Sequence, residues 1–168
     1  MKGLGQRRPA VVAIRRAGSA VARAQASWIA GIDPWRGLGY RAAALGRWLA
    51  GMAGQGSVWT AAPSGAAPSA IVVATDGFLL GGFIALLAVK PDASGHGLGG
   101  ALVAHVEART FAKRRWLFVS CDANNAGALR FYRRLGFRRV GRMPDLVAAG
   151  RTELLLRKGA GSTMGAAR

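Results

Sequence analysis

Two kinds of hydrophobic pattern alternate along the chain, and their order predicts a mixed α+β fold. Apolar residues spaced three and four apart indicate amphipathic helices, and short runs of β-branched or aromatic residues indicate strands. Strands are predicted at residues 10–14, 58–62, 70–74, 83–89, 116–121, 137–142 and 152–157, and helices at 19–32, 44–52, 98–113 and 125–135. The order β-α-α-β-β-β-α-β-α-β-β predicts a central, mostly antiparallel mixed sheet of about seven strands, flanked by four helices.

The helical patterns also predict which side chains face the core. Ser19 is expected to cap the first helix. The expected apolar faces are Val21, Ala24, Trp28 and Ile32 in the first helix, Ala44, Leu45, Trp48, Leu49 and Met52 in the second, and Ala128, Phe131, Tyr132 and Leu135 in the last. Each face follows the helical repeat, so each helix is expected to pack on the sheet.

The 168 residues fit a single domain. Residues 1–9 are expected to form a flexible basic arm, residues 10–158 the domain, and residues 159–168 a flexible tail. The first 32 residues contain no acid, a composition that organellar presequences share. The longest apolar stretch, residues 78–89, is too short to span a bilayer, so no membrane association is expected.

The chain is strongly basic. Lysine and arginine total 24 against 7 acidic residues, a net charge of +17 that favours nucleic acid, an anionic membrane or a phosphorylated cofactor as partner. A merely solvated basic surface is equally consistent with this charge. The single cysteine, Cys121, fits a reducing compartment, and a cytoplasmic location is expected. Two distant histidines and one cysteine make no set of metal ligands, so no metal is expected.

A glycine-rich segment, residues 94–100, follows an apolar strand and opens a helix. Glycines let the backbone approach a ligand, and the free amides at a helix N-terminus bind phosphate. The segment also satisfies the dinucleotide-binding pattern G-x-G-x-x-G with Asp122 after the next strand. That alternative fits poorly, because five residues separate the strand from Gly95 and too little chain follows Asp122.

A second motif lies one helix and one strand further along, at residues 125–137. Together the two motifs resemble the GNAT superfamily of acetyl-CoA-dependent N-acetyltransferases, close to its small bacterial members. The family's glycine motif matches Gly97 and Gly99, and its second motif matches Asn125, Ala128, Phe131, Tyr132, Gly136 and Phe137. Ser94 stands where the family has arginine or glutamine. A serine there is expected to cap the helix and donate its hydroxyl.

The resemblance implies transfer of acetyl from acetyl-CoA (coenzyme A) to a primary amine, by direct attack through a tetrahedral intermediate. The implied coenzyme-binding residues are Leu87, Ala88 and Val89 on a strand edge, Gly95, His96, Gly97, Leu98, Gly99 and Gly100 through their amides, and Asn125 and Ala128 beside the pantetheine arm. Tyr132 is implied as the general acid for the departing thiolate. The competing interpretations are a core aromatic for Tyr132 and a plain helix cap for Asn125.

The base that deprotonates the amine is less well indicated. Relatives that acetylate protein N-termini often carry a glutamate at the position of Ser120, and serine cannot replace it as a base. Glu153, at the start of the last strand, is the favoured carboxylate, with proton loss through water as the alternative. Cys121 is expected to behave as a buried apolar residue rather than as a nucleophile.

The expected partner is an amine acceptor, either a small metabolite or a protein N-terminus, bound by a monomer or homodimer. The alternative is a non-catalytic basic module that binds nucleic acid or the ribosome on the same fold. It draws on a cationic run, Arg130, Arg133, Arg134, Arg138, Arg139 and Arg142. Nucleic acid is not favoured, because the nearby aromatics, Phe131, Tyr132 and Phe137, are expected to be taken by the core or the active site.

Overall fold

A seven-stranded sheet forms the centre of the fold. The computed structural model describes residues 12–161. The strands are β1 (Val12–Arg16), β2 (Val58–Pro63), β3 (Ala70–Phe78), β4 (Gly81–Val89), β5 (Trp116–Asp122), β6 (Arg138–Pro144) and β7 (Thr152–Gly159), in the spatial order β1-β2-β3-β4-β5-β7-β6. All neighbours are antiparallel except β4 and β5, which are parallel. The predicted mixed, mostly antiparallel sheet is confirmed.

Helices cover both faces of this sheet. They are α1 (Ser19–Ala24), α2 (Ala26–Ala30), α3 (Ala42–Gly54), α4 (Leu98–Phe111) and α5 (Ala126–Arg134). Only Gln25 separates α1 from α2, and together they form the first predicted helix. Alternate residues of β3 enter two cores: Ile71 packs with α1, α2 and α3, whereas Val72 packs with α4 and α5.

The start of the described chain differs from the prediction. The first strand runs from Val12 to Arg16, so the predicted strand residues 10 and 11 lie outside the described residues, as do the whole predicted arm and residues 162–168 of the predicted tail. Gly159, predicted to begin the tail, is the last residue of β7. Ser19 does not cap α1, because Gly18 occupies that position and the Ser19 hydroxyl donates to the Ala50 carbonyl at 2.9 Å. This bond ties α1 to α3.

The buried face of α1 and α2 is displaced from the predicted one by about one residue. Val21 is 43% exposed, whereas Ala22, Ala26 and Ile29 are buried. Small alanine side chains let the helix approach α3 closely. The alanines are therefore buried here in preference to the larger Val21. In α3 the predicted Leu45 and Leu49 are buried, but Trp48 remains 39% exposed.

The hairpin of β3 and β4 is longer than predicted. Its two-residue turn is Leu79-Leu80, both with positive φ (42° and 64°) and both exposed. Such turns normally contain asparagine or glycine, so the apolar run gave no turn signal. The residue after the turn, Gly81, is the one that must lack a side chain. A Cβ at Gly81 would lie 2.4 Å from the Trp116 carbonyl oxygen.

Candidate active site

The sheet opens between β4 and β5. The two strands pair only from Gly81–Ile84 to Trp116–Val119 and then separate. At the point of separation β4 carries an irregularity, since Ile84 and Leu86 pair with successive residues of β3 and leave Ala85 without a partner. Beyond Ala85, β4 pairs with β3 alone, so one backbone edge of residues 85–89 is free in the middle of the sheet.

A cavity of about 340 Å³ occupies this opening. Seven of the predicted site residues line it: Leu87, Ala88, Val89, Asn125, Ala128, Tyr132 and Glu153. Residues 32–35, 38 and 40, before α3, line it from the other face of the sheet. The cavity therefore passes through the sheet, with α5 on one side and the segment between α2 and α3 on the other.

Tyr132 reaches the cavity from the buried face of α5. Its side chain is 5% exposed, and its ring packs edge-to-face against Phe131 and Phe137, with centroids 5.1 and 5.4 Å away. Burial raises the pKa of the Tyr132 hydroxyl well above its usual value. The phenol therefore stays protonated at neutral pH.

Two buried carboxylates lie at the cavity on adjacent strands, and they differ in their partners. Asp122 of β5 accepts from the Asn124 amide at 2.7 Å and from Arg151 Nε at 2.6 Å. These bonds lower the pKa of Asp122 despite its burial. Glu153 of β7 is also buried, and burial raises its pKa; the neighbouring Asp122 adds to the rise, whereas Ser120 and Arg151 oppose it.

Cys121 lines the same cavity. Burial and the nearby charges of Glu153 and Asp122 raise the pKa of its thiol to about 11. A thiol in this environment carries little thiolate at neutral pH, and thiolate is the nucleophilic form. The environment of Cys121 thus agrees with the expected apolar role.

The glycine-rich segment lies beside the cavity rather than in its wall. Gly95 and Gly97 have positive φ (79° and 81°), and α4 begins at Leu98. The first bond into α4 runs from the Ala101 amide to the Gly97 carbonyl at 2.9 Å, so the amides of residues 98–100 have no acceptor within the helix. Ser94 does not cap α4; Gly97 precedes the helix instead, without a side-chain bond.

The glycines of this segment have two different surroundings. A Cβ at Gly95, Gly97 or Gly100 would meet no atom within 4 Å, whereas one at Gly99 would touch Phe131 and Val89 at 3.4 Å. Gly99 therefore packs α4 against the end of β4 and against α5, and the other three border open space. This packing places the free amides next to the free edge of β4.

Residues 57–137 match the model of the Acetyltransferase (GNAT) family. The chain therefore contains a GNAT acetyltransferase domain. Its fold is similar to that of a GNAT acetyltransferase from Bacillus cereus (14% identity, 89% of this chain and 97% of that chain, TM-score 0.73). It is also similar to NAA60 of Arabidopsis thaliana, solved with a bisubstrate analogue (18%, 91% and 100%, 0.72), and to the ribosomal-protein-S18-alanine N-acetyltransferase of Escherichia coli (18%, 93% and 97%, 0.69). No curated protein matches the chain.

Asn125 and Ala128 lie at the start of α5 in this GNAT domain. The Asn125 side-chain carbonyl accepts from the Ala128 amide at 3.0 Å, so Asn125 is a helix cap. Both residues also line the cavity. The cap uses only the carbonyl oxygen of Asn125 and leaves its NH₂ group for other contacts.

The cationic run of the GNAT domain is exposed, with Arg130, Arg133 and Arg134 on α5 and Arg138, Arg139 and Arg142 on the edge strand β6. The three aromatics nearest to it pack against one another, as described for Tyr132. They are not available to stack on bases, as expected. His96 is exposed on the glycine-rich segment, and His105 packs against Trp59.

Within residues 12–161, no three histidine, cysteine or acidic side chains cluster as metal ligands would. In the same part of the chain no helix has the length and apolarity needed to cross a membrane.

Sequence reasoning missed several residues of the cavity wall. Tyr40, Leu86 and Val147 line it without belonging to either motif. Tyr40 and Val147 lie between regular elements, where hydrophobic periodicity carries no signal. The irregularity at Ala85 has no signal in the sequence either, because it interrupts an unbroken apolar run.

Proposed function

We propose that the chain transfers the acetyl group of acetyl-CoA to a primary amine. The observation that carries this proposal is that Tyr132 and Glu153 line one cavity at the point where β4 leaves β5. A phenol that stays protonated is suited to donate a proton, and a carboxylate of raised pKa is suited to accept one. Acetyl transfer to an amine needs both roles.

The residues present fit coenzyme A at two places. The open space at Gly95, Gly97 and Gly100, beside amides that lack acceptors, suits a pyrophosphate at a helix N-terminus. The free edge of β4 at residues 87–89 suits an extended amide-containing chain, which would add to it like a strand. In this arrangement the amides of His96, Leu98 and Gly99 belong to the phosphate site.

When bound, acetyl-CoA supplies an acetyl thioester. Glu153 accepts the proton that the ammonium group of the acceptor must lose, with water as an alternative relay. Tyr132 donates its proton to the sulfur of the departing thiolate, and the second proton that the attacking nitrogen loses restores the phenol through water. An amide of the free β4 edge donates to the carbonyl oxygen, where negative charge develops. Asn125 and Ala128 flank the pantetheine arm at the start of α5.

The charge of the cavity is consistent with a cationic acceptor. Only seven acidic residues occur in the whole sequence, and three of them, Asp33, Asp122 and Glu153, line this one cavity. Asp33 is paired with Arg36 and Asp122 with Arg151, so Glu153 is the carboxylate of this cavity wall that forms no ion pair within the described residues. An ammonium group in the cavity would therefore face Glu153.

The test is thermal unfolding followed by a thiol-release assay. Acetyl-CoA is expected to raise the Tm, and release of free thiol from acetyl-CoA is expected to depend on added amine. The contrary result is a protein that duplex RNA stabilises at physiological salt and acetyl-CoA does not, which would favour a basic nucleic-acid-binding module.

A further inference from the structure

A second cavity, of about 570 Å³, adjoins the first on the side of the α2–α3 segment. Four residues belong to both walls: Trp35, Tyr40, Ala85 and Leu86. The second cavity therefore borders the one that Tyr132 and Glu153 line, along these four residues. Its other walls are Gly39, Arg41, Ala44, Leu45 and Trp48.

The lining of this second cavity, which we call the aromatic pocket, is mainly apolar. Three aromatic rings, Trp35, Tyr40 and Trp48, surround it together with two leucines. Among residues 12–161, Arg41 is the only charged residue in its wall. Tyr40 is 44% exposed and Trp48 is 39% exposed. Large aromatic side chains that remain open to solvent around a concave surface are typical of a ligand site.

The exposed apolar surface continues around the mouth of the first cavity. Val147, in the segment between β6 and β7, is 43% exposed and lines that cavity, and its neighbour Leu146 is 58% exposed. Four of the large apolar residues exposed in the described chain thus lie at or beside the two cavities. The exposed Val147 and the buried Glu153 thus line the same cavity.

We propose that the aromatic pocket receives the acceptor, and that the acceptor is a primary amine with an aromatic or large aliphatic group next to its nitrogen. This inference rests on the proposed function, because the amine nitrogen must reach Glu153 in the first cavity. The apolar group then extends into the adjoining space between Trp35, Tyr40 and Trp48. Burial of that group supplies the binding free energy and orients the nitrogen.

The charges around the pocket exclude one class of acceptor. The part of the chain that the structure describes places no carboxylate in the pocket wall, and the one charged residue that it places there, Arg41, is cationic. A second ammonium group on the acceptor would therefore face a cation without a counter-charge. Diamines, and peptides that begin with lysine, are poor acceptors on this account.

A primary amine with an apolar group next to its nitrogen occurs both in free amines and at peptide N-termini, so the assay has two arms. One compares phenethylamine with ethylamine and cadaverine, and the other compares short peptides that begin with phenylalanine, alanine or lysine. At saturating acetyl-CoA, kcat/KM is expected to be at least about tenfold higher for phenethylamine, for the phenylalanine peptide, or for both, than for the other acceptors of the same arm. The reason is that apolar pockets discriminate by about that factor for each methylene group. The arm that shows the preference identifies the source.

Two variants test whether this preference for an apolar acceptor arises from the aromatic pocket. Trp48→Ala and Tyr40→Ala are expected to reduce the preference at least about fivefold, mainly through KM for the acceptor, and to leave KM for acetyl-CoA unchanged. Both side chains are partly exposed, so the fold should be retained. Val140→Ala, at a comparably exposed apolar residue on β6 that lines neither cavity, is the matched control and should change nothing.

The outcomes separate this inference from the proposed function. Acetylation of amines without an apolar preference, or with a preference for cadaverine or the lysine peptide, overturns the acceptor assignment alone. A preference that survives in Trp48→Ala and Tyr40→Ala also overturns it. Absence of transfer to every amine, by a protein that binds acetyl-CoA, overturns the proposed function and the acceptor assignment together.

Discussion

Glu153 of β7 lies directly opposite Asp122 of β5, and the pKa values of these two buried carboxyl groups are shifted in opposite directions. Asp122 has two donors, the Asn124 amide and Arg151, which lower its pKa, whereas burial raises the pKa of Glu153. Where the environments of two adjacent carboxyl groups separate their pKa values, one group commonly stays ionised and the other transfers a proton. In the proposed reaction Asp122 is the fixed charge and Glu153 is the group that exchanges a proton.

Replacement of Glu153 by glutamine should remove this proton acceptor. Below its pKa Glu153 is protonated and cannot accept, so kcat/KM of the native protein should rise with pH through a value above that of an ordinary carboxyl group. Glu153→Gln should lower kcat/KM by roughly a hundredfold or more and should lose this rise. Asp76→Asn, at an exposed acid on β3, is the control. An unchanged pH profile in Glu153→Gln would show that water, or another group, takes the proton.

Glu153 also predicts a dependence of stability on pH. Its pKa in the folded state is raised, so its ionisation opposes folding. Its contribution to stability is therefore most favourable below the ordinary carboxyl pKa and is lost as pH rises through the raised value. Between those two values, Tm of Glu153→Gln should fall less with rising pH than Tm of the native protein. Equal slopes of Tm against pH in the native protein and in Glu153→Gln would contradict the raised pKa.

Tyr132→Phe keeps the ring and its packing against Phe131 and Phe137 but removes the proton. We expect kcat to fall by about a hundredfold to ten-thousandfold, or roughly 3–5 kcal/mol, with acetyl-CoA affinity and Tm nearly unchanged. Single-turnover measurement of thiol release isolates this step from product release. A decrease of less than about threefold, in a variant that binds acetyl-CoA normally, would show that solvent protonates the thiolate.

Gly100→Glu tests the phosphate site without damaging α4. A Cβ at Gly100 meets open space, and a carboxylate in the first turn of a helix is favourable for the helix itself. The same carboxylate repels phosphate and competes for the amides. We expect the Kd for acetyl-CoA to rise at least about tenfold, or roughly 1.4 kcal/mol, by calorimetry.

Gly51→Glu is its matched control, because Gly51 is an exposed helical glycine in α3 that also faces open space. It adds the same charge far from the segment at 94–100 and should leave the Kd unchanged. Equal affinities for acetyl-CoA in the two variants would move the phosphate site elsewhere.

Gly81→Ala tests the close approach of β4 and β5 just before they separate. An added Cβ would lie 2.4 Å from the Trp116 carbonyl oxygen and 3.0 Å from the Phe118 ring, so one strand must move. We expect a loss of about 1–3 kcal/mol in the free energy of unfolding. Gly51→Ala, by contrast, should stabilise α3 by about 0.5–1 kcal/mol. Denaturant unfolding measures both, and a neutral Gly81→Ala would mean that the strands are less closely packed than described.

The order of elements and the placement of most site residues could be predicted from the sequence, because local signals carry them. The amphipathic face of α5 places Tyr132 inward, and the glycines before α4 indicate a backbone open to a ligand. The prediction was poorer where tertiary packing decides. Val21 is exposed because alanines face α3, and leucines occupy a hairpin turn that the neighbouring glycines and strand pairing impose.

The electrostatics of the site could not be predicted in this way. Asp122 and Glu153 meet only because β7 inserts next to β5, and Arg151 reaches Asp122 only in that register. The aromatic pocket likewise depends on Tyr40 and Trp48, which are distant in sequence from both motifs. Pairings of this kind are tertiary, and a hydrophobic repeat contains no information about them.

The most direct test of the central claim is to incubate the protein with acetyl-CoA and the amine panel, and to measure acetylated amine by mass spectrometry and free thiol in the same sample. The account predicts that the two products form in equal amounts, at a rate that Tyr132→Phe and Glu153→Gln both reduce at least about a hundredfold. Thiol release without acetylated amine, or equal rates in the native protein and both variants, would contradict it.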